Sequence, residues 1–472
     1  MERLALGVLM PGFEGSRVPH WLRGPLADGL AAVCLFAPNV ADRAAATALC
    51  CELRELSPGV VIGIDEEGGD VTRLHAATGS PLPGLGALGA VDDEEAARRA
   101  GRLLGADLAG CGITLDLTPV LDVASEPANP VIGSRSFGAS PDQVARLGAA
   151  LVSGLHEHGV AACGKHFPGH GDTTVDSHVG LPVIDAPRQV VLERDVAPFA
   201  ALAGVLDAVM TGHLLVPALG EGPASLSSWC YALLRETGFE GVALTDALGM
   251  RAVSGADIGP AVVQALAAGA DLCCLDAPMQ RDGRTTFEQA RRAVEAALAD
   301  GFLDPAALEA SGERNRALGR ELVPVASQDE QVLQREGLEL ARRAVSARGD
   351  VRVGPRVAFL DLRARLNHAA GEQPPTLAEE LARVREVEPL QAGESLGELP
   401  LVLQVREPLL APEGELLAQL LRARPDAVVV HCGQADAAPA VDRLVLAHDA
   451  GRAMARTAVE LLCGRGGDDG RG

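Results

Sequence analysis

Eight short apolar runs alternate with longer Ala-, Leu- and Arg-rich segments over the first 320 residues, and this alternation constrains the fold most. The runs lie at 4–10, 31–37, 59–65, 113–120, 160–166, 206–212, 241–246 and 271–276. Continuous apolar runs are typical of strands buried on both faces of a parallel sheet. Eight β/α units predict a (β/α)8 TIM-type barrel. A doubly wound open sheet is the alternative, but no GxGxxG motif follows the first run.

Helix start signals fall between these runs. Ser140, Pro141 and Gln143 supply an N-cap, a proline at the first helical position and a capping-box partner. The spacing from Thr286 to Gln289 predicts a second capping box, and Asp304-Pro305 predicts the start of another helix. The order of strands and helices therefore agrees with the barrel.

A second, smaller unit follows the predicted barrel. We expect a catalytic barrel over 1–325, a linker and a helix over 326–350, and a shortened α/β/α domain over 351–472. Its strands are predicted at RVAFLDL, PLVLQV, DAVVVHC and RLVLAHD, and its last helix at AGRAMARTAVELLCG. No residue of this unit is assigned to a site, and packing or a homodimer contact is the expected role.

Charge and cysteine usage exclude several classes of partner. The net charge of −23 disfavours nucleic acid and anionic membranes, which need a basic face. The 10 cysteines form no CxxC pair and no disulfide-like framework, which indicates reduced core thiols and a cytoplasmic protein. No apolar run reaches 18 residues, and the first run is short for a signal peptide. We therefore predict no membrane partner.

Ionisable side chains follow most of the predicted strands at their carboxyl ends, where the active sites of such barrels lie. They are Asp65, Glu66 and Glu67 after the third run, Asp122 and Arg135 after the fourth, His213 after the sixth, Asp246 after the seventh and Asp276 at the end of the eighth. Polarity resumes at any strand end, but that explains one or two of these residues and not the set. A site on this rim is predicted, with His213 among its binding residues.

The fifth run leads into the cluster GKHFPGHGDTTVDSH, Gly164 to His178. His166 and His170 have the i,i+4 spacing of helical zinc motifs, but the intervening Pro-Gly breaks a helix, so we predict no metal. The P-loop order GxxxxGK[ST] is absent, which disfavours a phosphate-binding loop.

Proton chemistry is better supported by the same cluster. Asp176 lies two residues from His178, so the carboxylate can fix the imidazole tautomer and raise its pKa, which favours a general acid/base. A surface Asp-His pair in a loop is the competing interpretation. Lys165 and His166 lie at the strand end, where they can donate hydrogen bonds to hydroxyls. Lys165 is the only lysine in a chain that otherwise uses arginine.

Asp246, after the seventh run, completes a possible nucleophile and acid/base pair with the histidine-bearing loop. A buried aspartate that binds a backbone amide is the competing interpretation. The two motifs around these residues, KHFPGHG…DSH and GFEGVALTDALGM, follow IGIDEEGG and IGSRSFG in that order.

Together these four motifs resemble glycoside hydrolase family 3, and its β-N-acetylglucosaminidase branch in particular, over residues 4–320. The resemblance implies a retaining, two-step mechanism without a cofactor. It implies that Asp246 is the nucleophile and that His178, paired with Asp176, is the acid/base. Residues that match sugar-binding positions of the family are Asp65, Arg135, Lys165 and His166. The chain departs from the family pattern at Asp70, where an arginine is common.

Three functions follow from this resemblance and from the rim residues. The first is an exo-acting enzyme that removes terminal β-linked GlcNAc from muropeptides or chitin-type fragments. The second is a phosphorylase on the same scaffold, since a histidine acid/base does not repel an incoming phosphate. The third is a barrel that binds sugars without turnover.

Overall fold

The structure, a computed structural model, describes residues 1–174, 180–250, 252–253, 255–276, 281–318, 329–363, 370–371 and 373–464. Two sheets organise these residues, one of eight strands and one of six. Among the described residues, no helix is both long and apolar enough to cross a membrane.

The first sheet is a parallel, nearly closed barrel with the order β1-β8-β7-β6-β5-β4-β3-β2. Its strands are β1 (Leu9–Met10), β2 (Ala32–Leu35), β3 (Val61–Ile64), β4 (Leu115–Asp116), β5 (Ala161–Phe167), β6 (Ala208–Thr211), β7 (Val242–Thr245) and β8 (Leu272–Cys274). Backbone hydrogen bonds of 3.0 Å from Ala31 to Leu6 and from Cys34 to Pro11 join the first and second segments across the remaining gap. Each predicted apolar run overlaps one strand, and the barrel prediction is confirmed.

The barrel strands are buried on both faces. Side chains of Met10, Leu115, Cys163, Met210 and Leu244 fill the interior, and a larger apolar layer lies between the strands and the helices. A continuous apolar run is what such a position requires, because neither face of the strand meets water.

Twelve helices of the described chain accompany the barrel. They are α1 (Glu2–Leu6), α2 (His20–Ala27), α3 (Arg43–Leu56), α4 (Leu85–Val91), α5 (Glu94–Cys111), α6 (Pro141–His156), α7 (Arg188–Val190), α8 (Ala197–Leu202), α9 (Ser228–Glu236), α10 (Gly259–Ala268), α11 (Gly283–Ala299) and α12 (Pro305–Leu318). A π-helical segment, Val191–Val196, joins α7 to α8.

Two local predictions in the barrel are wrong and two are confirmed. The run 4–10 begins in helix α1, and only its last two residues form β1, since an apolar run alone does not separate a buried helix from a strand. Helix α11 starts at Gly283 with Asp282 as N-cap, so Thr286 lies inside the helix. Ser140 caps α6 with Pro141 first in the helix, while the Gln143 side chain donates to Gly89 O at 3.0 Å; α12 begins at Pro305.

The second sheet is mixed and has the order β11-β10-β12-β13-β14-β9. Its strands are β9 (Ser346–Arg348), β10 (Arg356–Asp361), β11 (Glu386–Pro389), β12 (Leu401–Val405), β13 (Val428–His431) and β14 (Leu444–Leu446). The four predicted strands are present. The two edge strands, β9 and β11, are largely exposed and polar, so no apolar run announced them.

Helices cover both faces of this sheet, which gives the predicted three layers. They are α13 (Glu330–Ala344), α14 (Thr376–Ala382), α15 (Glu413–Ala423) and α16 (Arg452–Leu462). Helices α13, α14 and α16 share one apolar core with the sheet, and α15 shares the other. We call the described residues from 346 onward the second domain; the boundaries 1–325, 326–350 and 351–472 stay a prediction.

Candidate active site

Lys165 lies at the centre of a buried ion-pair cluster on the carboxyl-end rim of the barrel. Its side chain is nearly inaccessible, and its Nζ lies 2.7 Å from Asp65 Oδ1 and 2.7 Å from Glu67 Oε1. Lys165 comes from β5 and both carboxylates follow β3, so the predicted convergence of strand ends is present. Burial alone would lower the pKa of Lys165, but the two carboxylates outweigh it and raise that pKa above its ordinary value.

Two arginines complete this cluster. Arg135 donates to Glu67 through Nε at 2.9 Å and through a terminal nitrogen at 2.8 Å, a forked arrangement that suits a carboxylate. Arg73 lies 3.2 Å from Asp65 Oδ2. Burial acts to raise the pKa of both acids, but the opposite effect of the surrounding cations is larger. The pKa of Asp65 is therefore lowered, and that of Glu67 falls to about 2.

Glu66, between these two acids, faces a different environment. Its Oε2 accepts backbone N–H groups of Arg73 at 2.8 Å and Leu74 at 3.0 Å. Its own N–H donates to Asp116 Oδ1 at 3.1 Å. Glu66 Oε1, Asp116 Oδ2 and Thr118 Oγ1 are buried without a hydrogen-bond partner among the described residues. Burial raises the pKa of Glu66 and raises that of Asp116 much further, which favours their neutral forms.

His166 is held by Asp122, which follows β4. The imidazole Nδ1 lies 2.7 Å from Asp122 Oδ2, and Asp122 Oδ1 accepts the backbone N–H groups of His166 and His170 at 3.1 and 2.7 Å. Burial would raise the pKa of Asp122, but His166 and these hydrogen bonds lower it, so the carboxylate is an acceptor. Nδ1 of His166 therefore carries the proton, and Nε2 is the ring nitrogen left for a ligand.

His170 is a site residue that the sequence did not single out for binding. Its Nδ1 lies 2.8 Å from Thr173 Oγ1, and its Nε2 is buried without a hydrogen-bond partner among the described residues. Burial lowers its pKa to about 4, so the ring is neutral at pH 7. Its ring centroid lies 6.0 Å from that of His166, and both Nδ1 atoms bind protein groups. The described residues contain no group of three or more side chains placed to hold a metal ion.

Asp246 follows β7 on the same rim and is half-buried. Its Oδ1 accepts the N–H of Ala247 at 2.7 Å, and its own N–H donates to Thr211 O at 3.0 Å. These bonds fix the backbone around the predicted nucleophile.

His213, predicted to bind substrate, is completely buried behind this segment. Its Nε2 lies 3.0 Å from Ala247 O and its Nδ1 lies 2.7 Å from Ser225 Oγ. A carbonyl oxygen only accepts, so Nε2–H donates to Ala247 and Nδ1 accepts from Ser225. Both ring nitrogens thus bind protein groups, so His213 supports the residue after Asp246, and its role in sugar binding stays a prediction.

Asp176 and His178 lie outside the described residues. The chain that leads to them is described up to residue 174 and is tied to the barrel. Asn129 donates to the carbonyls of His170 and Gly171 at 2.9 and 3.2 Å, and Asp172 lies 2.8 Å from Arg194 of the π-helical segment.

Three comparisons with known proteins identify the class of enzyme to which this barrel and its charged rim belong. The family model "Glycosyl hydrolase family 3 N terminal domain" matches residues 22–314. A β-hexosaminidase of Pseudomonas aeruginosa (strain LESB58) is 38% identical over 53% of this chain and 75% of its own length.

Solved structures show the same arrangement over nearly the whole chain. A family 3 β-N-acetylglucosaminidase of Paenibacillus sp. is 30% identical with a TM-score of 0.86, over 98% of this chain and 96% of that one. A β-glucoside phosphorylase bound to 2FGlc, 18% identical with a TM-score of 0.77 over 98% and 92%, shares the fold. This chain belongs to glycoside hydrolase family 3, and it is a glycoside hydrolase.

Proposed function

We propose that this chain is a retaining exo-β-N-acetylglucosaminidase that removes terminal β-linked GlcNAc. The observation that carries the proposal is the position of Asp246 on the same rim as the Lys165 cluster. The names of the β-hexosaminidase and β-N-acetylglucosaminidase relatives support the sugar.

The Lys165 cluster leaves hydrogen-bonding capacity for a sugar. An ammonium has three N–H donors; Lys165 donates to Asp65 and lies 2.7 Å from Glu67 Oε1, so these two carboxylates engage at most two of the three. Asp65 keeps lone pairs and a side chain that is 18% exposed, enough to accept from a hydroxyl. His166 contributes Nε2 beside them. Arg135 acts through Glu67, whose two oxygens it holds.

In the proposed reaction, Asp246 attacks the anomeric carbon while His178, oriented by Asp176, donates a proton to the leaving glycosidic oxygen. The bond to the leaving group breaks as an ester to Asp246 forms. Water then attacks the same carbon, gives a proton to His178 and releases Asp246 as a carboxylate. The anomeric configuration is retained, and the catalytic groups return to their starting protonation states.

Hydrolysis of aryl β-GlcNAc and aryl β-glucoside by the full chain tests this proposal. We expect turnover of the GlcNAc glycoside, preferred over the glucoside, and its loss in Asp246→Ala. An Asp246→Ala variant that hydrolyses at the wild-type rate contradicts it. Muropeptides and chitin-type fragments are the proposed natural substrates, and release of GlcNAc from each of them compares the two.

Phosphorolysis shares the first step of this mechanism, and a phosphorylase has the same fold at 18% identity. The two functions differ in the molecule that accepts the sugar in the second step, which is water in hydrolysis and phosphate in phosphorolysis. Incubation with an aryl β-GlcNAc in phosphate buffer distinguishes them, since GlcNAc is the expected product and GlcNAc-1-phosphate would establish the phosphorylase. A cytoplasmic location and a homodimer stay predictions, and light scattering of the purified chain tests the dimer.

A further inference from the structure

The second domain contacts the barrel at the loop that carries Asp65 and Glu67. This loop, residues 65–73, follows β3. Asp70 at its turn is buried, and its Oδ1 accepts the N–H of Ala450 in the second domain at 2.8 Å. Its backbone carbonyl accepts from Gln373 Nε2 at 3.0 Å. The acid that departs from the family pattern is therefore bound by the second domain through its side chain and its backbone.

The cationic partner of Asp70 also comes from the second domain. A terminal nitrogen of Arg406 lies 3.5 Å from Asp70 Oδ1, and the same nitrogen donates to Gln373. Both charged side chains are at least nine-tenths buried. Removing one of them leaves the other buried without its counter-charge, which costs far more than breaking an exposed pair.

Glycines bring the two parts of the chain into close contact around Asp449. The side-chain oxygens of Asp449 accept the N–H of Gly84 at 2.8 Å and that of Gly451 at 2.7 Å. A Cβ on Gly69, in the middle of the loop, would lie 2.8 Å from Asp449 Cγ and 2.7 Å from the Cα of Gly84. No side chain fits at this position. Because the two parts of the chain are in such close contact, a shift of the second domain would displace the loop.

The far end of the loop is tied in the same way. Arg73 lies 3.2 Å from Asp65 Oδ2 and donates to the carbonyl of Ala370 at 3.4 Å. The loop thus binds the second domain at its turn and at its end, while Asp65 and Glu67 bind Lys165 and Arg135.

We propose that the second domain is a positioning element of the sugar site: Arg406, acting through Asp70, holds the 65–73 loop in the shape that aims Asp65 and Glu67 at Lys165. In this proposal Arg406 and Asp70 act through the loop and not on the sugar itself. The proposal rests on the proposed function in one respect, that Asp65 and Lys165 bind the sugar.

Kinetics of the full chain on an aryl β-GlcNAc test the proposal through Arg406→Met, Asp70→Asn and the double variant. Each single change should raise KM about tenfold with a smaller effect on kcat, and the double variant should be no worse than the worse single change. Arg406→Lys should recover part of the loss, since it restores a charge near Asp70. The matched control is Arg356→Met, which breaks an exposed pair with Glu386 in the same domain and should leave KM unchanged.

A second measurement keeps this test independent of turnover. Amide hydrogen exchange of peptides covering 65–73 should be faster in Arg406→Met than in wild type and in Arg356→Met. If exchange of these peptides is unchanged in Arg406→Met, the positioning role is wrong, whether or not the protein hydrolyses a GlcNAc glycoside. A wild-type protein that hydrolyses no GlcNAc glycoside would instead refute the proposed function. The positioning role would also be wrong if Arg406→Met lowered the melting temperature but kept KM within twofold of wild type. Additive losses in the double variant would contradict it as well.

Discussion

Two pairs of acids lie within a few residues of the same strand ends and behave in opposite ways. Asp65 and Glu67 face Lys165, Arg135 and Arg73, and their pKa values are lowered. Glu66 and Asp116 are fully buried, form no ion pair with another described residue, and have raised pKa values. The contrast holds between neighbours in sequence, because Glu66 lies between Asp65 and Glu67 and binds different partners. Desolvation acts to raise the pKa of all four acids, and the charge of the partner decides the protonation state.

Loss of Lys165 should have the largest effect, because it leaves two buried carboxylates without their shared cation. We expect Lys165→Met to lower kcat/KM by about 10³-fold and to cost about 3–5 kcal/mol of folding free energy. Steady-state kinetics and denaturant unfolding measure the two effects. Lys165→Arg should not restore activity, since the site is closed around a compact ammonium; full rescue by arginine would show that charge alone suffices.

The same substitution at the two aspartates should separate the pairs. Asp65→Asn removes a charge that binds Lys165 and Arg73, so kcat/KM should fall about 10²-fold. Asp116→Asn replaces a neutral acid with a neutral amide that still accepts from Glu66, so kcat/KM should stay within about threefold of wild type. Equal losses in the two variants, measured on the same aryl β-GlcNAc, would show that the contrast in protonation has no bearing on the site.

An uncharged contact should matter less than either ion pair. Ser225→Ala removes the donor that fixes the tautomer of His213, which supports Ala247 beside Asp246. We expect kcat to fall about fivefold with KM little changed, since one hydrogen bond is worth about 1 kcal/mol. Ser227→Ala is the matched control, because its hydroxyl donates to the carbonyls of Glu221 and Pro223 instead. A change in KM alone would place His213 in substrate binding after all.

The pH dependence of stability extends the comparison to the domain contact. Burial and the charge of Asp70 raise the pKa of Asp449 to about 8, so the folded state holds a proton there that the unfolded chain loses near pH 4. Stability from this group is complete below pH 4 and is lost as the pH rises to about 8. Glu67, with its pKa lowered to about 2, contributes stability above pH 4 that is lost as the pH falls toward 2.

Asp449→Asn should therefore reduce the fall in melting temperature between pH 5 and 8 by a few degrees. The fall in melting temperature below pH 4 should be the same in both proteins. Calorimetric melting of wild type and variant across this range measures it. An equal decline in both proteins would assign the alkaline loss to other groups.

The barrel could be predicted from sequence because its strands are buried on both faces and mostly apolar, a local signal that needs no knowledge of partners. The edge strands β9 and β11 could not, since an exposed edge imposes no apolar pattern. The position of the rim could also be predicted from a local signal, because polar residues resume where each strand leaves the core.

The ion pairs and hydrogen bonds among the rim residues could not be predicted from the sequence. Glu66 and Glu67 are adjacent and identical, and only the three-dimensional position of Arg135 and Asp116 distinguishes them. The position of His213 after β6 did not predict its two hydrogen bonds, which join it to Ser225 and Ala247, 12 and 34 positions away. The contact between Asp70 and Arg406 joins residues 336 positions apart, and no local pattern predicts it.

The central claim is that Asp246 becomes covalently bound to the sugar. Incubation with a fluorinated aryl β-GlcNAc analogue, followed by peptide mapping, tests it directly. The account predicts a label on the peptide that contains Asp246 and none in Asp246→Ala, with the rest of the rim unlabelled. A label on any other residue, or turnover without a covalent intermediate, would contradict it.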